Sequence, residues 1–98
     1  MNKIYSLLGL ARRANLVSLG QDGCNQAIKR NKCKLLIIAN DTSDNTKEKF
    51  IKLCDRKNVR YVFFGDKESL GQAIGRDIVA IISILDENFS KAIMDKIG

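Results

Sequence analysis

KRNKCKLLIIAND, residues 29–41, passes in one step from the most basic segment of the chain to an unbroken apolar run. From Leu35 to Ala39 no polar residue intervenes, the pattern of a strand buried on both faces. A strand of that kind needs helices above and below it, and the flanking sequence supplies them. Upstream, Cys24, Ala27 and Ile28 recur at helical spacing. Lys29, Arg30, Lys32 and Lys34 then close that helix with cations that suit a helix C-terminus. Downstream, Asp44 or Asn45 caps another helix. Asn45 and Glu48 stand at capping-box spacing, and Phe50, Leu53 and Cys54 form its inward face.

The same reading extends to both ends of the chain. Ile4, Leu7, Leu8 and Ala11 form one face of a helix that ends at Arg12 and Arg13, and LVSL at 16–19 is a short edge strand. VRYVFF at 59–64 is a β-branched and aromatic strand. Asp66 caps a short helix whose Leu70, Ala73 and Ile74 point inward and which Gly75 stops. IVAIISIL at 78–85 is the strongest strand signal, and Asp86 opens a last helix carrying Phe89, Ile93 and Ile97. Strands and helices alternate throughout, which predicts an α/β fold with one sheet covered on both faces. No internal repeat, linker or proline interrupts it.

At 98 residues the chain reads as one domain, large enough to bury a core without metal or disulfide. No apolar segment approaches the ~20 residues of a spanning helix, and the N-terminal stretch is too short in apolar residues for a secretory signal. A cytoplasmic protein with no membrane contact is the expectation. Cys24, Cys33 and Cys54 are odd in number, form no CxxC and have no histidine to work with, so they read as small core residues and no metal site is expected.

The net charge of +6 is unevenly placed. Up to Ala39 the chain carries Lys3, Arg12, Arg13, Lys29, Arg30, Lys32 and Lys34 against Asp22 alone, and beyond it cations and anions balance. A one-sided basic patch is the footprint of a polyanion partner. An enzyme is not expected: no histidine offers a base near neutral pH, and the acids sit singly where caps belong. GQDG at 20–23 lacks both the third glycine of a dinucleotide fingerprint and the Lys-Ser/Thr pair of a P-loop. LGQAIG at 70–75 has its glycines inside and after a helix. No cofactor is expected. What GQDG offers is backbone: Gly20 and Gly23 allow close approach, the first amides of a helix lack partners, and Asp22 is a candidate N-cap. Gln21 and Gln26 add short amide side chains, with Lys29, Arg30 and Lys34 behind them for phosphates.

GQDGCNQAIKRNKCKLLIIAND, LCDRKNVRYVFF and DKESLGQAIGRDIVAIISI together resemble the ribosomal L-seven-Ae family, which binds kink-turn RNA. The opening LLGLARRANLVSLG resembles its bacterial YlxQ branch. The resemblance covers nearly the whole chain. It implies a three-layer α-β-α sandwich on a small mixed four-stranded sheet, docking on RNA through the start of the second helix and the loop after LGxAxG. In the family that helix start reads Gly-x-Asn-Glu-x-x-Lys, with Asn, Glu and Lys on the sheared G·A pairs. Here Gly20 matches, while Asp22, Gly23 and Gln26 stand at the three base-reading positions. Lys67 matches a family lysine that reaches the RNA, and Arg76, Asp77 and Ile78 occupy the loop that packs on the flipped-out nucleotide. The resemblance implies a non-catalytic, monomeric partner of structured RNA, ribosomal or regulatory, and of the ribosome. The three departures would also suit a protein–protein module that kept the fold and only non-specific RNA affinity.

Overall fold

The computed structural model describes residues 2–97. The elements run α1 (Lys3–Arg13), β1 (Val17–Leu19), α2 (Gly20–Lys29), β2 (Leu35–Ile38), α3 (Asp44–Lys57), β3 (Tyr61–Phe63), α4 (Lys67–Ala73), β4 (Ile81–Ile84) and α5 (Glu87–Ile97). The sheet order is β1-β4-β2-β3, with β2 and β3 parallel and the other two pairings antiparallel. The expected small mixed four-stranded sheet is therefore present.

β2 and β4 occupy the centre, and every residue of both is buried. Because successive side chains alternate, the apolar run of β2 splits between two cores. Leu35, Ile37 and Ala39 join Ile82 and Ile84 under α1, α4 and α5, where Ile4, Leu8, Leu70, Ile74 and Ile93 pack. Leu36, Ile38 and Ile81 face α2 and α3, where Cys24, Ile28, Phe50, Leu53 and Cys54 pack. This is the three-layer arrangement.

On that second face Ser83 is fully buried, and its hydroxyl has no hydrogen-bond partner of good geometry among the described residues. The three cysteines are free and buried. Burial pushes the thiols of Cys24 and Cys54 up to about 12 and raises that of Cys33.

Several boundaries differ from the sequence reading. Ser43 caps α3, its hydroxyl accepting from the Thr46 amide, one residue ahead of the expected Asp44 or Asn45. Asp66 and Asp86 accept from Ser69 and Phe89 as expected. GQDG is the first turn of α2 itself, and Asp22 lies inside that turn and is not its cap. The helix ends at Lys29 because Asn31 takes φ 60, so Lys32 and Lys34 belong to the connection into β2.

The strand read over 78–85 contracts to Ile81–Ile84. Residues 76–79 are committed to α4: the Arg76 amide donates to Gly71 O and the Val79 amide to Lys67 O. The backbone of Asp77 and Ile78 lies so near Gly71 that a Cβ there would meet it at 2.8 Å.

Candidate nucleic-acid interface

The sheet register gathers four loops at one end. Leu19, which ends β1, pairs with Ile82, and Ile81 pairs with Ile38, so the start of α2 stands beside the start of β4 and the exit of β2. Parallel pairing of Ile38 with Phe63 brings the exit of β3 to the same place.

Hydrogen bonds then tie these loops together. The Ala39 amide donates to Ala80 O at 2.9 Å, and the Thr42 hydroxyl donates to the same carbonyl at 3.3 Å. The Asn40 amide reaches Gly65 O at 2.8 Å, and the Lys67 amide reaches the Asp41 carboxylate at 2.9 Å. With the Val79–Lys67 bond at 3.0 Å the circuit closes through the loops after β2, after β3 and before β4. A ring of this kind holds its loops in one arrangement before any ligand arrives, which lowers the ordering cost of binding.

Gly20 has φ +76, a left-handed value that a side chain would strain, and no atom lies within 4 Å of where its Cβ would be. Its glycine therefore serves the backbone turn from β1 into α2 and leaves open space over it. Leu19 at the N-cap position offers no side-chain acceptor, so the first-turn amides and the positive end of the helix dipole are left for an outside acceptor. Asp22 and Gln26 are exposed one turn apart on the same face, with Gln21 exposed beside them. Gly23 is half-buried, and a Cβ there would meet Ser18 Cβ at an ordinary 3.6 Å.

Lys67 opens α4 from within the ring. Arg76, Asp77 and Ile78 are exposed, Ile78 at 62 %. That exposure excludes its reading as the first residue of the last strand and leaves it as an apolar side chain presented to solvent.

The expected residues do not all come together. Gly20, Gln21, Asp22, Gly23, Gln26, Lys67, Arg76, Asp77 and Ile78 share this end of the molecule. Lys29 and Arg30 continue the exposed face of α2, about 10 Å further along at 1.5 Å per residue. Lys34 is at the opposite end, where its amide donates to Ile84 O at 2.7 Å. Sequence order puts these cations behind the helix start within a few turns, and the direction of α2 carries them away from it.

Gly71, the seat of the exposed loop, enters the sequence reading only as a glycine inside a helix and as part of LGxAxG, with no packing role assigned. A glycine inside a helix is unfavourable by roughly 1 kcal/mol against alanine, and that penalty was the available signal for a close backbone approach.

Other features bear on chemistry less directly. A cavity of about 810 Å³ lies between α1 and α4, lined by Tyr5, Leu10, Arg12, Arg13 and Ile74 among others, with no carboxylate in its wall. Among the described residues no group of histidine, cysteine or acidic side chains is arranged to hold a metal ion. No helix among them is long and apolar enough to cross a membrane.

Against known proteins, residues 2–94 match the family described as "Ribosomal protein L7Ae/L30e/S12e/Gadd45 family". The chain is 30 % identical over 90 residues to the RNA-binding protein YlxQ of Bacillus subtilis, covering 92 % of this chain and 90 % of that one. It is 32 % identical over 98 residues to the large ribosomal subunit protein eL8 of Cenarchaeum symbiosum, covering 99 % and 78 % respectively. A solved structure from Bacillus halodurans, described as a protein with unknown function, superposes with a TM-score of 0.95 at 30 % identity, covering 99 % of this chain and 98 % of that one. The Giardia lamblia 15.5kD RNA binding protein shares the fold, with a TM-score of 0.80 at 24 % identity over 96 % of this chain and 81 % of its own.

Proposed function

The chain belongs to the ribosomal protein L7Ae/L30e/S12e/Gadd45 family, and from that premise we propose that it is a non-catalytic RNA-binding protein that docks on kinked, structured RNA. One observation carries the reading: the register of the sheet sets the start of α2 beside a hydrogen-bonded ring that holds Lys67 and the residues flanking the 76–78 loop. Each part suits a different portion of a kinked strand. The first-turn amides of α2 and Lys67 favour phosphate oxygens. Asp22 and Gln26 are short hydrogen-bonding groups one turn apart on the same exposed face, suited to base edges. Ile78 gives an apolar surface for a base that has left its stack, the usual way in which proteins read structured RNA. The whole chain acts as one cytoplasmic RNA-binding domain, a monomer without cofactor. Its partners are ribosomal or regulatory RNA with a kink-turn, and the ribosome.

The family's base-reading residues are replaced at three positions, by Asp22, Gly23 and Gln26. Recognition here rests more on the shape of the ring and on phosphate contacts than on side-chain hydrogen bonds to bases. The test is a salt-resolved titration of a kink-turn with tandem G·A pairs against a straight duplex of equal length. A preference of at least tenfold for the kink-turn, about 1.4 kcal/mol, is the expected result. Equal affinities that fade together as salt rises would remove the kink from the proposal.

A further inference from the structure

At the other end of the sheet, the Leu85 amide donates to Leu16 O, the Lys34 amide to Ile84 O and the Leu36 amide to Arg60 O. This row places the exits of α1, α2 and α3 side by side. Each exit contains an asparagine in the left-handed region: Asn15 at φ 61, Asn31 at φ 60 and Asn58 at φ 57. Two of these exits bring cations from separate parts of the chain. Lys34 follows α2, Lys57 ends α3, and Arg60 follows it, and all three line one recess of about 330 Å³ together with Asn31, Asn58 and Ser90. Lys29, Arg30 and Lys32 lie on the α2 side of the same end. Glu87 is the one carboxylate in the wall of the recess, and the charged side-chain groups of these six cations make no hydrogen bond or ion pair among the described residues.

Complementing helix dipoles accounts for Lys29 and Lys57, which sit in the last turns of α2 and α3. It does not account for Lys32, Lys34 and Arg60, which lie beyond the helix ends. We propose that this end is a second RNA surface, holding the phosphate backbone of a segment distinct from the one at the start of α2. The inference rests on the RNA-binding reading above and extends it to a second contact.

Charge and chemistry favour a nucleic acid here over a protein. Protein interfaces centre on apolar and aromatic anchors and are depleted in lysine. The exposed large apolar residues, Leu10, Phe63 and Ile78, all lie outside this recess. Its wall carries lysine, arginine and short amide groups, the set that contacts phosphate and sugar. The ten residues of α2 separate the two ends by about 15 Å. An RNA held only at the kink does not reach the recess, whereas a stem that continues along the Gln26–Lys29–Arg30 face does.

The test compares a kink-turn RNA with stems trimmed to a few base pairs and the same RNA with both stems lengthened by a full helical turn. The full chain and its Lys34→Ala/Lys57→Ala/Arg60→Ala variant are titrated with each across a range of salt. Thermal unfolding verifies that the variant is folded. For the native protein the longer RNA binds more tightly, with a log–log salt slope steeper by two to three, about one per phosphate contact. The variant loses about tenfold on the long RNA, keeps its affinity for the short one, and shows one slope for both. Hydroxyl-radical footprints of the long RNA show a second protected patch with the native protein that is missing with the variant.

Identical behaviour of the native protein and the variant on the long RNA would falsify the second surface, as would an equal loss on both RNAs. Native binding that is tight on the short RNA and no tighter on the long one leaves the kink reading standing and overturns this one. Failure of the native protein to bind either RNA overturns both.

Discussion

The two ends of the sheet use the same backbone device with different residues. At one end the left-handed conformation falls on Gly20 and Gly65, and at the other on Asn15, Asn31 and Asn58. Gly65 has a packing reason, because the Tyr5 hydroxyl lies 2.7 Å from where its Cβ would be. Gly20 has none, since its surroundings are empty. Asparagine tolerates the same φ and adds a short polar side chain where a helix ends. The glycine end therefore keeps its backbone approachable, and the asparagine end presents charge on the long side chains that flank it. Reading base edges needs the first arrangement; holding phosphates is satisfied by the second.

The largest expected effect sharpens that contrast. Replacing Asp22, Gly23 and Gln26 by the family's residues (D22N/G23E/Q26K) restores three base contacts, each able to discriminate by roughly 1–3 kcal/mol. The Gly23 backbone has room for the new side chain. The expected outcome in the kink-turn versus duplex titration is a gain in preference of about a hundredfold, with stability little changed. An unchanged preference would mean that the glycine end does not read bases.

Next comes Gly71→Ala, which forces a Cβ against the backbone of Asp77 and Ile78. We expect a loss of about 1–3 kcal/mol in chemical denaturation, in line with overpacking, and a weaker hold on the kinked RNA. Binding at the asparagine end should be untouched, so the salt slope contributed by the longer stems persists.

Between the two ends, the buried thiols set an alkaline limit. Cys24 and Cys54 have thiols held at about 12 in the folded protein against an ordinary 9.0. Above about pH 9 the unfolded chain loses these protons first and binds fewer than the folded one, so stability falls as pH rises. The slope reaches at most about 1.4 kcal/mol per pH unit for each thiol and flattens towards pH 12. Below pH 9 neither cysteine contributes a slope. Urea denaturation at pH 8, 9 and 10 checks the sign.

The smallest effect separates the ends most directly. Gly20→Ala and Asn58→Ala each place alanine in the left-handed region, at a cost of about 1 kcal/mol. Stability measurements should find them alike. Only Gly20→Ala should lower the kink-turn preference; equal effects of both on RNA would erase the distinction between the two ends.

How much of this was legible in the sequence follows from how far each feature depends on chain direction. The unbroken apolar runs at Leu35–Ala39 and within 78–85 were enough to place a sheet between two helical layers, because burial on both faces leaves no other economical packing. α2 starts earlier than its candidate cap Asp22, whereas the cap at Asp66 and the stop at Gly75 were readable, being local signals. The placement of the cations was not. Lys29 to Lys34 follow GQDG closely in sequence, but a helix carries them to the far end of the sheet, where they meet Lys57 and Arg60 from another part of the chain. Ile78 stands in the sequence both at the head of an apolar run that reads as strand and in the loop after LGxAxG, and its position off the strand depends on Gly71 admitting the returning backbone. Ser83 was read as part of the same strand, and its buried hydroxyl had no sequence signal at all.

The shortness of the outer strands has a consequence of its own. β1 and β3 span three residues each, while the fully buried four-residue strands stay inside. At the β3 edge, Lys47 lies 5.6 Å from the ring of Phe63, the exposed aromatic of that strand. An edge so brief and so close to a charge is a poor template for a further strand, and cross-β growth needs a longer, uncharged one. A chain this rich in isoleucine and leucine thus keeps its aggregation-prone segments at the centre of the sheet, where another copy could reach them only after the fold has opened.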